Sequence, residues 1–334
     1  METNLNNQIS EEWTVSEDAI GQRIDQYLSH KFPEQSRATI QQWIKQGYVK
    51  IDGNDTKSKF LLKGFEKIHV ELVLQDRTEH LPQEMPLDIC YEDEHLLILN
   101  KPVGLVVHPG SGNPDNTLLN GLLAYSSEQK KLVRAGIVHR LDKDTSGLMV
   151  VAKDGETQQR LIDLLKEHDI KREYVAIVRG QLSHTGHVDQ PIGRHPTQRV
   201  RMAVHHKGKP AITHYQPLRV FKHFSLMKLN LETGRTHQIR VHMHHLGHPL
   251  VGDPLYGNPN RIAADVVSEL KDLVRAFPRQ ALHARQLEFI HPITQQPISI
   301  KIGLPEDMEQ LLEDIEYYDD LDTFDDQMDV EYVE

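Results

Sequence analysis

Apolar positions recur along the chain with two different periods. In AIGQRIDQYLSHKF, residues 19–32, the side chains of Ile20, Ile24, Tyr27, Leu28 and Phe32 fall on one helical face. ATIQQWIKQ, residues 38–46, repeats that spacing through Ile40, Trp43 and Ile44. Ser36 stands where an N-cap belongs, and Gly47 stops the run. YVKID and KIHVELVL then alternate as strands do, with Asp52-Gly53 as a turn between strand-like pieces. These patterns predict a small unit of two helices and short strands over residues 16–75, preceded by a polar, disordered tail over 1–15. DRTEHLPQEMP, residues 76–86, carries charges and two prolines without an apolar period, and reads as a linker.

From residue 87 to about 305 strand patterns dominate: LDICY, HLLILN, LMVVAK, EYVAIVRG, SLMKLNLE and ISIKIGL. Helical patterns sit between them, in ETQQRLIDLLKEHD and after Thr236. The expectation is an α+β domain with a large, mainly antiparallel mixed sheet flanked by helices. Residues 306–334 are expected to begin as an acidic helix and end in a disordered tail.

Charge changes this picture. The whole chain carries −11, but residues 306–334 hold 14 Asp/Glu and no Lys/Arg, so the remainder carries +3. Residues 170–245 alone hold 13 Lys/Arg against 3 Asp/Glu, with eleven histidines. A basic stretch this concentrated is the footprint of a polyanion site. The single cysteine, Cys90, excludes an internal disulfide and a cysteine-rich zinc site, which suits a reducing compartment. The N-terminal residues lack the basic-then-apolar pattern of a signal peptide, and no run of about 18 apolar residues exists. A cytoplasmic protein with no membrane partner is expected.

Three stretches carry candidate chemistry. The first is HRLDKDTSG, residues 139–147, a polar turn between apolar runs with Asp142 and Asp144 set among cations. As a calcium loop it fails, because the bidentate acid at position twelve is replaced by Lys153. A phosphatase motif would need Thr or Val at Ser146. A glycosidase pair could span the required distance, although nothing marks either acid as buried, and a turn stapled by Asp–Arg pairs is an equal reading. The second stretch runs from Leu231 to Gly257. Arg235, His237 and Gln238 crowd the start of a helix that carries Arg240, a setting that suits phosphate. Its histidines match no zinc spacing. The third is KREYVAIVRG, where Tyr174 opens a strand behind two cations. Its ring could be a core aromatic or a platform for a nucleobase.

Together, HRLDKDTSG, the Tyr174 strand and GRTHQIRVH resemble the pseudouridine synthases that act on large-subunit ribosomal RNA. Residues 16–75 resemble an S4 RNA-binding domain, with Arg23, Asp25, Leu28, Ser36, Arg37, Gly47 and Gly53 at the usual places. Ile24 and Asp52 depart from the commoner Leu and Asn there, and Arg172 replaces the family's usual Lys. The resemblance covers residues 16–305. Stretches such as LPQEMPLDI, LVVHPGSGNPD and LVGDPLYG are nearest to a branch that modifies uridines in the helix 69 loop of 23S rRNA. It implies an isomerase of α+β fold needing neither cofactor nor metal and no protein partner, since turning a uridine into pseudouridine is redox-neutral. It implies Asp142 acting at the sugar, Arg240 as its partner, and Tyr174 stacking on the uracil and serving proton removal at C5. Arg140 would fill the gap left by the flipped base. RNA contacts are expected from Arg235, His237 and Gln238, and from Arg23, Ser36, Arg37 and Lys45 on the S4 unit. Two alternatives remain: other 23S rRNA or tRNA uridines as substrate, or a ribosome-assembly factor binding the same RNA.

Overall fold

A computed structural model describes residues 8–32, 35, 37–73, 80–110, 112–198, 200–258 and 261–328. The chain divides into two units, 1–79 and 80–334.

In the first unit α1 (Ile24–Lys31) and α2 (Arg37–Lys45) pack on a four-stranded sheet of order β1-β4-β2-β3. Its strands are β1 (Gln8–Thr14), β2 (Val49–Ile51), β3 (Asn54–Asp55) and β4 (Lys67–Val73). Ile24, Leu28, Ile40, Trp43 and Ile44 close over Val49, Ile68 and Val70, as the helical spacing requires. Two expectations are corrected. Residues 8–14 are not a disordered tail: they pair antiparallel with β4 along their whole length, and Ile9 and Trp13 pack against the core from one strand face. The first helix does not begin at Ala19. Gly21 takes φ +80 and breaks the run, which leaves Ile20 56% exposed. Ser36 lies outside the described residues.

The second unit is built on a nine-stranded sheet of order β5-β6-β7-β14-β8-β13-β12-β9, with β15 paired to β14. In chain order its described elements are β5 (Ile89–Glu92), β6 (Leu96–Lys101), α3 (Leu118–Tyr125), β7 (Ser146–Ala152), α4 (Gly155–Glu167), β8 (Lys171–Arg179) and β9 (Gly186–Asp189). There follow the hairpin β10 (Ile192–Arg194) and β11 (Met202–Val204), then β12 (Ile212–Val220), β13 (Phe224–Leu231), α5 (Gln238–His245) and α6 (Ser268–Ala276). The unit ends with β14 (Leu282–Ile290), β15 (Pro297–Lys301) and α7 (Glu306–Met328).

Every pairing in this sheet is antiparallel except β14 with β7, which meet in parallel at Ser146 and Gly147. That junction explains one glycine. Gly147 takes φ +114, and a Cβ there would lie 2.2 Å from the Ala284 carbonyl oxygen. The one parallel seam therefore lies directly behind the polar turn and fixes where that turn emerges.

Two boundary expectations also change. Within the expected linker, residues 81–85 are strapped to α3: the Gln83 N–H donates to the Asn120 carbonyl, and the Asn120 side chain donates to the Leu81 carbonyl. Met85 fills the space beside Gly121, where a side chain would clash. At the other end, the acidic segment contributes to a core. Met308, Leu311 and Ile315 of α7 are buried against Val175, Ile177 and Phe224, and Arg279 pairs with Asp307 at 2.6 Å. No described helix is long and apolar enough to cross a membrane.

Candidate active site

The turn before β7 is held from behind by groups that sequence reading did not single out. Asp142 accepts the Thr145 N–H through its backbone carbonyl, closing the turn. Lys101 is fully buried, and its ammonium donates to the carbonyls of Pro102, Leu105 and Lys143. Burial pushes Lys101 down to about 8, against the pull of Asp144 and Asp142. Arg279, also buried, reaches the Asp144 carbonyl, and Gln280 donates to the Thr145 hydroxyl. His139 accepts the Val150 N–H through Nε2, and burial pushes it to about 3, so it stays a neutral strand-end prop. Of the neighbouring cations, Lys153 pairs with Glu92 at 2.7 Å, while Arg140 is exposed in the cleft.

The turn thereby presents Asp142, its side chain 20% exposed, to Arg240 from α5. Arg240 Nη1 donates to Asp142 Oδ2 at 2.8 Å. The rest of the same guanidinium is clamped by Asp253, with Nε to Oδ2 at 2.7 Å and Nη2 to Oδ1 at 2.9 Å. Asp253 is itself fixed by the Leu255 and Tyr256 N–H groups. Burial opposes charge on both Arg240 and Asp253. Their mutual hydrogen bonds prevail, raising the guanidinium above its ordinary value and holding the carboxyl below its own. Two carboxylates thus share one fixed cation, of which only one reaches the cleft.

Tyr174 and Arg172, two apart on β8, line the same cleft, whose volume is about 830 Å³. Tyr174 is nearly buried, and burial pushes its phenol up, opposed by Arg172 and reinforced by Asp142. Arg134, Arg140, Arg172, Arg235 and Lys166 also line the cleft, which gives it a cationic wall. His237 enters from the start of α5, with Nε2 3.8 Å from Asp142 Oδ2. An anionic chain carrying an extruded base fits this arrangement: cations for phosphates, an aromatic floor and one oriented carboxylate.

Sequence reading brought Asp142, Tyr174, Arg240, Arg140, Arg235 and His237 to one cleft. Gln238 lines the same cleft, from a tightly held position. Gln238 is buried, and its amide is committed to protein: Oε1 accepts from Thr233 and the Arg235 N–H, and Nε2 donates to the Ile212 carbonyl and the Thr213 hydroxyl. Its side chain thereby ties the loop before α5 to β12. The histidines that follow are likewise structural in part. His242 bridges Thr213 and the Gln190 carbonyl, and His248 contacts the Arg179 carbonyl. Among the described residues no group of three or more His, Cys, Asp or Glu side chains could hold a metal. In the first unit Asp25 is fully buried and accepts from Arg23, Arg37 and Gln41, so the two arginines are pre-oriented with their outer surfaces 31% and 45% exposed. Lys45 is exposed at the end of α2. Asp253 and Lys101 were missed because their patterns, GDPLYG and NKPVG, resemble ordinary turns. A carboxylate followed by two N–H donors at +2 and +3 is the available signal for the first.

A basic cleft with one cation-held carboxylate and a nearly buried tyrosine suits an enzyme whose substrate is an RNA chain. Residues 95–245 match the family profile described as RNA pseudouridylate synthase, and residues 22–68 match that of the S4 domain. The chain belongs to the RNA pseudouridine synthase family and carries an S4 domain at its N-terminal end. It is 49% identical to the ribosomal large subunit pseudouridine synthase D of Yersinia pestis over 319 residues, covering 95% of this chain and 97% of that one. It is 48% identical to the enzyme of the same name from Escherichia coli (strain K12) over 301 residues, covering 90% and 92%. Among solved structures, human RNA pseudouridylate synthase domain containing 4 aligns with a TM-score of 0.55 at 25% identity, covering 69% of this chain and 93% of that one.

Proposed function

We propose that this isomerase converts uridine to pseudouridine in the RNA of the large ribosomal subunit, in the loop of helix 69 of 23S rRNA, and that Asp142, Tyr174 and Arg240 carry the reaction. The observation that supports it best is the Asp142–Arg240–Asp253 arrangement, with names of relatives 48–49% identical over nine-tenths of the chain standing beside it. Asp142, held by Arg240 at 2.8 Å, acts at the target ribose. The N1–C1′ bond breaks, the uracil turns on the Tyr174 ring, and C5 bonds to C1′. The C5 proton leaves through the Tyr174 hydroxyl, N1 ends protonated, and atoms and electrons balance without any co-reactant. Arg140 takes the place of the extruded base, and the cleft arginines hold flanking phosphates. Arg23, Arg37 and Lys45 of the S4 unit add contacts to the same RNA. A loop target suits the mechanism, because extruding an unpaired base costs least.

The test is to map pseudouridines in 23S rRNA from cells with and without the protein, by carbodiimide modification and primer extension. Loss confined to the helix 69 loop, restored by the wild-type gene, is expected. An unchanged map would refute the substrate, and loss at other positions would move it elsewhere in the rRNA.

A further inference from the structure

His237 has a geometry that phosphate binding does not explain. It opens α5 with φ +57 and ψ 23, a left-handed conformation that costs a non-glycine residue about 1–2 kcal/mol. Residues held this way persist where the surroundings over-determine them, and often at functional sites. The surroundings here are specific. His237 Nδ1 lies 2.9 Å from the Tyr256 hydroxyl. That hydroxyl already accepts the Met202 N–H at 2.9 Å, and the ring carrying it is 4% exposed. Both the Arg240 and the Arg201 guanidinium lie 5.1 Å from its centroid.

The proton inventory follows. The buried Tyr256 hydroxyl must place its own hydrogen, the Met202 N–H cannot accept it, and of its two recorded partners only His237 Nδ1 can. Nδ1 is therefore the acceptor, and the imidazole proton sits on Nε2. Burial and the nearby Arg240 and Arg140 hold His237 below its ordinary value, while Asp142 and Asp253 pull the other way; the balance leaves the ring neutral. Nε2–H thus faces Asp142 Oδ2 as a fixed donor. The separation of 3.8 Å is too long for a direct hydrogen bond. It is short enough for one oxygen to sit about 2.8 Å from both groups, accepting from the imidazole and donating to the carboxylate.

We propose that His237 Nε2–H and Asp142 Oδ2 together bind the 2′-hydroxyl of the target ribose. That group both donates and accepts, and RNA carries it where DNA does not. It adjoins C1′, so capturing it would set the scissile carbon against the Asp142 carboxylate. The inference rests on the proposed function and extends it to sugar recognition by a residue first expected to hold phosphate.

The test is a cycle crossing protein and RNA changes. Stem-loop RNAs carrying uridine or 2′-deoxyuridine at the target are each treated with wild-type protein, with His237→Asn and with Tyr256→Phe, and kcat/KM is measured by release of tritium from C5. Asparagine tolerates the left-handed backbone, but its side chain is too short to reach the hydroxyl site. Wild type is expected to lose roughly tenfold on the deoxy target, the scale of one buried hydrogen bond. His237→Asn should lose much of that factor on the ribose target, and its further loss on the deoxy target should fall well short of the wild-type loss, since only the bond to Asp142 is left to remove. Tyr256→Phe, which frees the tautomer, should lose part of that factor and on the ribose target only. Losses that multiply in the His237→Asn series would overturn the contact, as would a wild type indifferent to the 2′-hydroxyl. Wild-type inactivity on the all-ribose RNA is a separate result: it would overturn the isomerase reading itself.

Discussion

Asp253→Asn removes one charge and almost no volume from a residue that touches no substrate in the proposed mechanism. Asp253 is fully buried and accepts from Arg240 Nε and Nη2 and from the Leu255 and Tyr256 N–H groups. An asparagine oxygen at the Oδ1 position preserves three of those bonds. Its NH2 then meets the Arg240 Nε–H, donor against donor, where a 2.7 Å charge-assisted bond stood. Losing such a bond costs about 1.5–3 kcal/mol. Leaving Arg240, itself 5% exposed, with half its counter-charge brings the total to about 3–5 kcal/mol. For a unit of this size that lowers Tm by roughly 10 °C. The guanidinium also loses the clamp that aims Nη1 at Asp142. A displacement near 1 Å at such a site costs about a hundredfold in rate, so kcat should fall by that order while KM for RNA stays within a few-fold. Calorimetry and tritium release on one stem-loop RNA measure both effects. A folded Asp253→Asn protein with kcat within twofold of wild type would refute the idea that Asp253 orients Arg240.

Two further substitutions probe the neighbouring groups. Tyr174→Phe keeps the ring and should keep RNA affinity, while turnover falls on the order of a hundredfold, as for loss of a proton-transfer group; unchanged turnover would leave Tyr174 as a stacking surface alone. Lys101→Met tests the buried ammonium through pH. Because its folded value is lowered to about 8 from 10.5, the unfolded chain binds more protons between those limits, so the wild type gains stability as pH rises through that window. Urea titrations should show the wild type gaining on the variant by up to about 1.4 kcal/mol per pH unit there, and parallel curves would show that Lys101 is not desolvated.

The cleft residues were legible because chemistry that needs particular side chains leaves short, dense motifs: HRLDKDTSG and GRTHQIRVH supplied Asp142, His237 and Arg240. The groups that hold them were not. Lys101 acts through three backbone carbonyls, which have no sequence signature. Asp253 acts on a residue thirteen positions away through a turn that looks ordinary. Gln238 lines the cleft as well, but its four protein partners could not be read from a polar residue set beside an arginine. In the fold, most short alternating runs became strands. The central strand β14 escaped because Arg285 and Gln286 interrupt its apolar pattern at a bulge beside Ala284. β1 escaped because an edge strand with one packed face, QISEEWT, is polar enough to pass for a tail.

The most direct measurement is pseudouridine formation by Asp142→Asn in a helix 69 stem-loop RNA, followed by tritium release beside the wild type. The change keeps the side chain's shape and removes its charge, and Arg240 retains Asp253 as its partner, so folding and RNA binding should survive. The account predicts unchanged RNA affinity with no detectable turnover. Turnover near the wild-type rate from a folded Asp142→Asn protein would contradict it.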